Sequence, residues 1–398
     1  MPADTAAPVQ KSGAQLLARA EGWRAELERR ADEIEKARKL PQDIADRLAA
    51  DGLYAMCNPP EWGGAGASPL DYVKAIEALA RGDASPAWCS FIATTAAFGM
   101  AFTDNDSVRT LLNAPGVITA GIFAPMGRAV AVKENGETGY RISGRWAWGS
   151  GSQNAHWVSA GCFIADETGS IIPDEKGRPQ HISPILAADQ LEFIDTWTVS
   201  GLQGTGSTDF EVKDAIVPEY RMMRGFGTAR DDAAIFRFPA FGMLGIGIAA
   251  VALGAGRGAL DDFYDLAVDK VPAGSRGTLA EKSATHRDVA KAEAHLRQGR
   301  AFLHEAVSAG WAAAQEGAVP VELKRDIRLA TTSAVDAAKQ AVTLIYELAG
   351  GSAVYRTSPI QRRFRDVHVA TQHMMVRQQT YELAGRILLR QPTDTSQL

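Results

Sequence analysis

Cysteine is scarce in this chain of 398 residues: Cys57, Cys89 and Cys162 stand far apart, with no Cys-x-x-Cys pair. That disfavours a disulfide framework or a thiolate zinc site and fits a reducing compartment. Basic residues are not in excess. A formal net charge of −5 argues against nucleic-acid binding, which needs a basic surface to displace counterions. No run of like charge forms a tail, and no internal repeat is visible. There is no His-Glu-x-x-His pattern and no calcium loop. His286, His295 and His304 are spaced so that helical neighbours point to opposite sides, and no metal is expected. The first residues carry no apolar signal core, so a cytoplasmic location is expected. One uncharged run, Phe238 to Gly256, approaches spanning length. Its five glycines and one proline, bounded by Arg237 and Arg257, read as a buried helix packed through small residues, so no membrane span is expected.

Phosphate-binding signatures are missing too. GlyAlaGlyArgGlyAla (Gly254 to Ala259) lies late in a helical stretch and follows no strand, so the dinucleotide turn is not built. GlyLeuGlnGlyThrGlySer (Gly201 to Ser207) has no following Lys-Ser/Thr. It reads either as a tight turn between strands or as backbone N–H groups held near a ligand.

What is present is an ordinary globular balance of 46% hydrophobic and 22% charged residues, long enough for two or three units. Residues 1–116 read as helical. Leu16, Ala20, Trp23, Leu27 and Ile34 form an amphipathic stripe, and Pro41 restarts the chain as a first helical residue. Pro59 to Gly66 is a loop, and later helices carry Tyr72, Ile76 and Leu79, then Trp88, Phe91 and Phe98. Residues 117–225 switch to short β-branched and aromatic runs. Val132 to Gly144 is a hairpin turning at Asn135-Gly136, and His156–Ala165 and Phe210–Val217 are strands. Residues 226–398 are helical again, in four long segments (Phe241–Val268, Ser283–Glu316, Val321–Ala349, Ile360–Leu389), enough for a four-helix bundle. The fold class predicted is α+β.

One stretch suggests chemistry. GlyArgTrpAlaTrpGlySerGlySer (Gly144 to Ser152) places Trp146, Trp148 and Ser150 at one strand parity, with Gly151 following. Two tryptophans and a hydroxyl are either core and turn, or the flat wall and placed polar group that an isoalloxazine requires.

Here a resemblance enters. ProProGluTrpGlyGlyAlaGly, GluAlaLeuAlaArgGlyAspAlaSer, GlyArgTrpAlaTrpGlySer, the Trp197–Ser207 segment, and LeuAlaGlyGlySer followed by ArgArgPheArgAsp occur in order over about 300 residues. Together they resemble the acyl-CoA dehydrogenase superfamily. The resemblance implies N-terminal helices, a central β-barrel and a C-terminal four-helix bundle in a homotetramer, with flavin between barrel and bundle. It puts Trp148, Ser150, Gly151 and Trp197 on the flavin side. Gly350 and Gly351 would lie near the phosphate end, with Arg276 approaching from a neighbouring subunit.

Thioester dehydrogenases of that family need a carboxylate base. At the usual position this chain has Met374, and no Asp or Glu occurs between Phe238 and Gly256, where the other known position falls. A thioether cannot take a proton. His373 beside it, and Ser150 to Trp157, are similar to the two-component flavin-dependent monooxygenases of the same fold. That branch implies reduced FMN or FAD from a separate flavin reductase, O2, and a C4a-hydroperoxyflavin that hydroxylates a small hydrophobic or aromatic substrate in a dry pocket. Ser150 and His373 are the candidate catalytic residues, with His373 either a base or a hydrogen-bond partner. Trp88, Phe98 and Met374 are the candidate substrate wall. The competing expectation is an atypical dehydrogenase holding FAD with its base relocated.

Overall fold

The structure, a computed structural model, describes residues 13–134, 137–226, 230 and 232–398; the expected turn at Asn135-Gly136 lies outside them. Six helices come first: α1 (Gly13–Gly22), α2 (Arg24–Ala37), α3 (Gln42–Ala50), α4 (Pro69–Gly82), α5 (Ala84–Ala101) and α6 (Asp106–Leu112). The expected apolar stripe is buried throughout, but the helix breaks between Gly22 and Arg24, so two helices share it. Pro41 caps α3 rather than opening it; a proline lacking N–H suits either place. Ser68 and Asp83 cap α4 and α5 by accepting the backbone N–H groups of Asp71 and Ser85.

The middle of the chain forms one seven-stranded mixed sheet. Its strands are β1 (Thr119–Glu134), β2 (Glu137–Trp146), β3 (Trp157–Ala165), β4 (His181–Ala187), β5 (Glu192–Ile194), β6 (Asp209–Pro218) and β7 (Met222–Met223). The order is β5-β6-β2-β1-β3-β4-β7, so the expected barrel is seen as a mixed sheet whose edge strands β5 and β7 do not pair among the described residues. The predicted hairpin is β1 with β2, in register Lys133↔Thr138. β1 also runs parallel to β3, with a bulge between Ile122 and Gly127 around Pro125, which has no N–H for a ladder.

Five helices close the chain: α7 (Ala240–Asp269), α8 (Ser283–Glu316), α9 (Val321–Ala349), α10 (Pro359–Ala370) and α11 (Gln379–Leu388). The glycine-bearing α7 packs against α4, α5, α9 and α10. It is long and apolar enough to cross a membrane, yet 89% of its most apolar window is buried inside the fold. Small residues permit that contact: a Cβ on Gly254 would sit 2.3 Å from the Glu77 carbonyl oxygen. The fourth expected segment, Ile360–Leu389, is not continuous. It breaks between α10 and α11, at His373, where a ring nitrogen caps the short turn Met374–Val376.

Candidate active site

β2 ends at Trp146, whose fully buried indole donates to the Gly161 carbonyl at 2.7 Å. Strand alternation therefore does not carry on to Trp148 as the sequence spacing suggested. Trp148 takes a left-handed φ of +64°, uncommon for a residue with a side chain, and the residue is 66% exposed. Gly151 is left-handed at φ +69°, which glycine adopts freely, and its N–H reaches the Thr205 carbonyl at 3.0 Å. Between these two bends the Ser150 hydroxyl is turned inward and buried.

Its partners fix its role. Trp88, on α5, donates its indole N–H to Ser150 Oγ at 3.1 Å. Ser150 Oγ lies 2.6 Å from Ser207 Oγ, which lies 2.6 Å from Thr205 Oγ1. Thr205 Oγ1 donates to the Leu202 carbonyl at 2.8 Å. A hydroxyl has one proton, and a carbonyl only accepts. Thr205 spends its proton on Leu202, so Ser207 donates to Thr205, and Ser150 donates to Ser207. Ser150 already accepts from Trp88 and keeps one lone pair. It therefore presents an acceptor, not a donor, to anything outside the chain. The anchor is itself held in place. Leu202 sits at φ +52°, and its N–H donates to Asp366 Oδ1 at 2.6 Å. Trp197 donates its indole N–H to the carbonyls of Gln203 and Leu202, at 3.1 and 3.3 Å.

Trp88 also links Ser150 to the bundle. Its ring meets the His373 ring edge-on, with centroids 6.0 Å apart. His373 Nδ1 accepts the Met375 N–H at 3.2 Å, which leaves the proton of the neutral ring on Nε2. Burial, with the positive charges of Arg328 and Arg377, pushes the His373 pKa down to about 4. Near neutral pH the ring is uncharged and offers an N–H. It is arranged to donate a hydrogen bond, and its affinity for a proton is low.

The other sequence candidates fall elsewhere. Met374 adjoins His373 and is 48% exposed. Phe98 lies ten residues beyond Trp88 on α5, about 15 Å along the axis. It is buried in an aromatic cluster with Phe102 and Phe236, so the structure does not bring it to Ser150. Gly350, at φ +54°, and Gly351 lie just past the C-terminal end of α9. They are about 30 Å along that helix from Arg328, whose guanidinium touches Met375. Arg276 is exposed on the α7–α8 connection, the loop whose Lys270 donates to the Ala349 carbonyl. These three thus gather at one end of the bundle, away from His373. Sequence reasoning missed Ser207, Thr205, Arg328 and Asp366. The first two lay inside a segment already noticed, and hydroxyls spaced by two were the available signal. Arg328 gave none, because nothing local distinguishes a buried arginine from an exposed one. Among the described residues no His, Cys, Asp and Glu cluster could hold a metal.

A reduced flavin fits this donor set. Its N5–H needs an acceptor, which the relay leaves at Ser150, and the exposed Trp148 indole supplies an apolar face beside it.

Fold and site together define a flavoprotein built on the acyl-CoA dehydrogenase plan. Residues 18–104 match the acyl-CoA dehydrogenase N-terminal domain, and residues 246–378 match the C-terminal domain. The chain is 31% identical over 359 residues to indole-3-acetate monooxygenase of Pseudomonas putida, covering 89% of each. It is 28% identical to the oxygenase subunit HsaA of a flavin-dependent monooxygenase of Rhodococcus jostii, covering 87% of this chain and 91% of that one. The crystal structure of 3-HSA hydroxylase from Rhodococcus sp. RHA1 superposes with TM-score 0.86 and 26% identity over 96% of this chain and 98% of that chain. Butyryl-CoA dehydrogenase from Megasphaera elsdenii shares the fold, with TM-score 0.79 at 18% identity over 98% of this chain and all of that one (100%). The chain belongs to the acyl-CoA dehydrogenase family, in its branch of flavin-dependent monooxygenases. It is an oxidoreductase.

Proposed function

We propose that this protein is the cytoplasmic oxygenase component of a two-component system. It takes reduced FMN or FAD from a separate flavin reductase and hydroxylates a small aromatic substrate, one atom of O2 entering the product and the other leaving as water. The observation that carries this is the fixed proton order at Ser150, beside a position 374 that holds no carboxylate. When bound, the flavin supplies the two electrons and the reaction with O2. The rest falls to the chain. Ser150 Oγ, left with a free lone pair, and the exposed Trp148 would hold the reduced flavin, Ser150 as a hydrogen-bond acceptor and Trp148 as an apolar wall. Trp88 spans from Ser150 to His373 and helps keep water out. The neutral His373 ring would offer its Nε2–H to an oxygen of the substrate. A proton-abstracting dehydrogenase lacks its base here: Met374 is a thioether, and α7 carries no acid between Phe238 and Gly256. In a homotetramer, Arg276, Gly350 and Gly351 would serve the flavin of a neighbouring subunit, since they lie far from His373 of their own chain.

The test is turnover with any flavin reductase and a set of aromatic compounds, read by product mass. A gain of one oxygen is expected. His373→Ala is expected to lower coupled product by about a hundredfold, with hydrogen peroxide rising in its place and the circular dichroism unchanged. Unchanged coupling would leave His373 with only the Met375 turn to hold.

A further inference from the structure

We propose that Arg328 is the recognition site for a carboxylate on the substrate, so that the substrate class is an aromatic acid rather than a neutral ring. The proposal rests on the reading above that the cleft beside His373 takes the substrate.

Arg328 projects from α9 and is only 4% exposed. Among the described residues no Asp or Glu pairs with it. Its Nε is buried without a partner, and Nη1 reaches only the Met375 sulfur, a weak acceptor, at 3.4 Å. Arg363, the other arginine buried to this degree among the described residues, and the half-buried Arg362 are treated differently. Arg363, 5% exposed, pairs with Asp262 at 2.5 Å and faces Glu28, and Arg362 pairs with Glu35 at 2.9 Å. Burial lowers the Arg328 pKa to about 10, so the group still carries its charge near neutral pH. A buried, unpaired charge is far costlier than a paired one. A fold that pairs Arg363 and Arg362 with acids but leaves this guanidinium open has a place for an anion that arrives from outside.

The position says which anion. The charge of Arg328 is felt at His373, and its guanidinium touches Met375, two residues on. Across from it is Gly245 of α7, where a Cβ would stand 3.6 Å from Nη1. That segment of α7 carries no acid of its own. A planar guanidinium fork with free N–H groups suits a carboxylate, which it can bind through two parallel hydrogen bonds. The neighbouring Trp88 suits an aromatic body. A substrate that places its carboxylate on Arg328 would have its ring near the Nε2–H of His373.

The experiment is a calorimetric titration of the full chain, saturated with reduced FAD under argon, with phenylacetate and with its neutral isostere phenylacetamide. The acid is expected to bind about tenfold tighter or more, as charge-assisted hydrogen bonds warrant. Arg328→Met is expected to lose that preference while melting no lower than the parent, because an unpaired charge has been removed. Arg328→Lys, which keeps the charge and loses the fork, is expected to keep only part of the preference. Equal binding of acid and amide by the parent chain, binding of neither, or a preference that survives in Arg328→Met would each overturn the proposal. The result is separable from the oxygenation reading. Acid preference without oxygenated product leaves Arg328 standing and removes the monooxygenase assignment; oxygenation of neutral rings without acid preference does the reverse.

Discussion

At the scale of single residues, proton direction matters more than proximity. Ser150 was legible in the sequence as a hydroxyl next to a tryptophan. Which way its proton points was not legible, because that depends on Thr205, Ser207 and Leu202, about fifty residues further on. The relay makes a specific demand. In Ser207→Ala, Ser150 loses its acceptor and its proton is freed toward the cleft. Oxidised flavin, whose N5 needs a donor, should then bind about three- to tenfold tighter, while reduced flavin loses affinity. Trp88→Phe removes only a donor to Ser150 and should leave that ordering in place. Anaerobic titration followed by flavin fluorescence measures both forms. An unchanged ratio in Ser207→Ala would show that the hydroxyl chain does not set the preference. His373 belongs to the same lesson. Its neighbours in sequence suggested a base or a hydrogen-bond partner, and the Met375 N–H on Nδ1 leaves the neutral ring with a donor at Nε2.

At the scale of elements, the most informative are those that depart from regularity. α5 is buried along almost its whole length, so periodicity alone could not say which of its residues faces the cleft. Trp88 meets Ser150, and Phe98, nearly three turns away, does not. The break between α10 and α11 was invisible as a gap in the apolar pattern, because Met374 to Val376 continue it in composition. α7 shows the opposite case, in which a pattern with two readings is settled by packing. Its glycines could have signalled a dinucleotide turn, and they instead let α4 approach. Gly254→Ala should destabilise the fold by about 1–3 kcal/mol, since the methyl would press on the Glu77 carbonyl. Gly22→Ala, where a Cβ meets nothing within 4 Å, is the control and should be neutral or slightly stabilising. Thermal unfolding of the pair compares them directly.

At the scale of the whole molecule, titration links the domains. Asp83, between α4 and α5, and Asp366, on α10, are both buried. Burial raises Asp83 to about 6, against the opposing pull of Arg362 and Arg363. Burial and the Asp83 charge raise Asp366 to about 7, against the Leu202 N–H and Arg365, with Glu35 adding to the rise. With both native values above the unfolded value of about 4, the folded state binds more protons across that interval. These two groups therefore contribute stability that is present at the acid end and lost as pH climbs from about 4 toward 7. His373 has the other sign: its native value of about 4 lies below the unfolded one, so its share of stability is gained as pH rises from about 4 to 6.5. Asp366→Asn deletes one falling contribution and relaxes the other. Its stability relative to the parent should increase steadily from pH 4 to 7 in denaturant titrations; a pH-independent difference would show that Asp366 is ionised throughout.

The amino-acid sequence by itself determined the class of element in each third of the chain and the excluded chemistries. Apolar spacing, turn residues and the missing acid at 374 are local facts that need no coordinates. It also carried the ordered motifs by which the family was recognised. The tertiary structure alone decided which groups each candidate meets. A hydroxyl's donor or acceptor role, a histidine's tautomer and an arginine's missing partner are properties of distant pairs. Ser150 with Ser207, Trp88 with His373, and Arg328 with no acid among the described residues meet or fail to meet only once sheet, α5 and bundle have closed on one another.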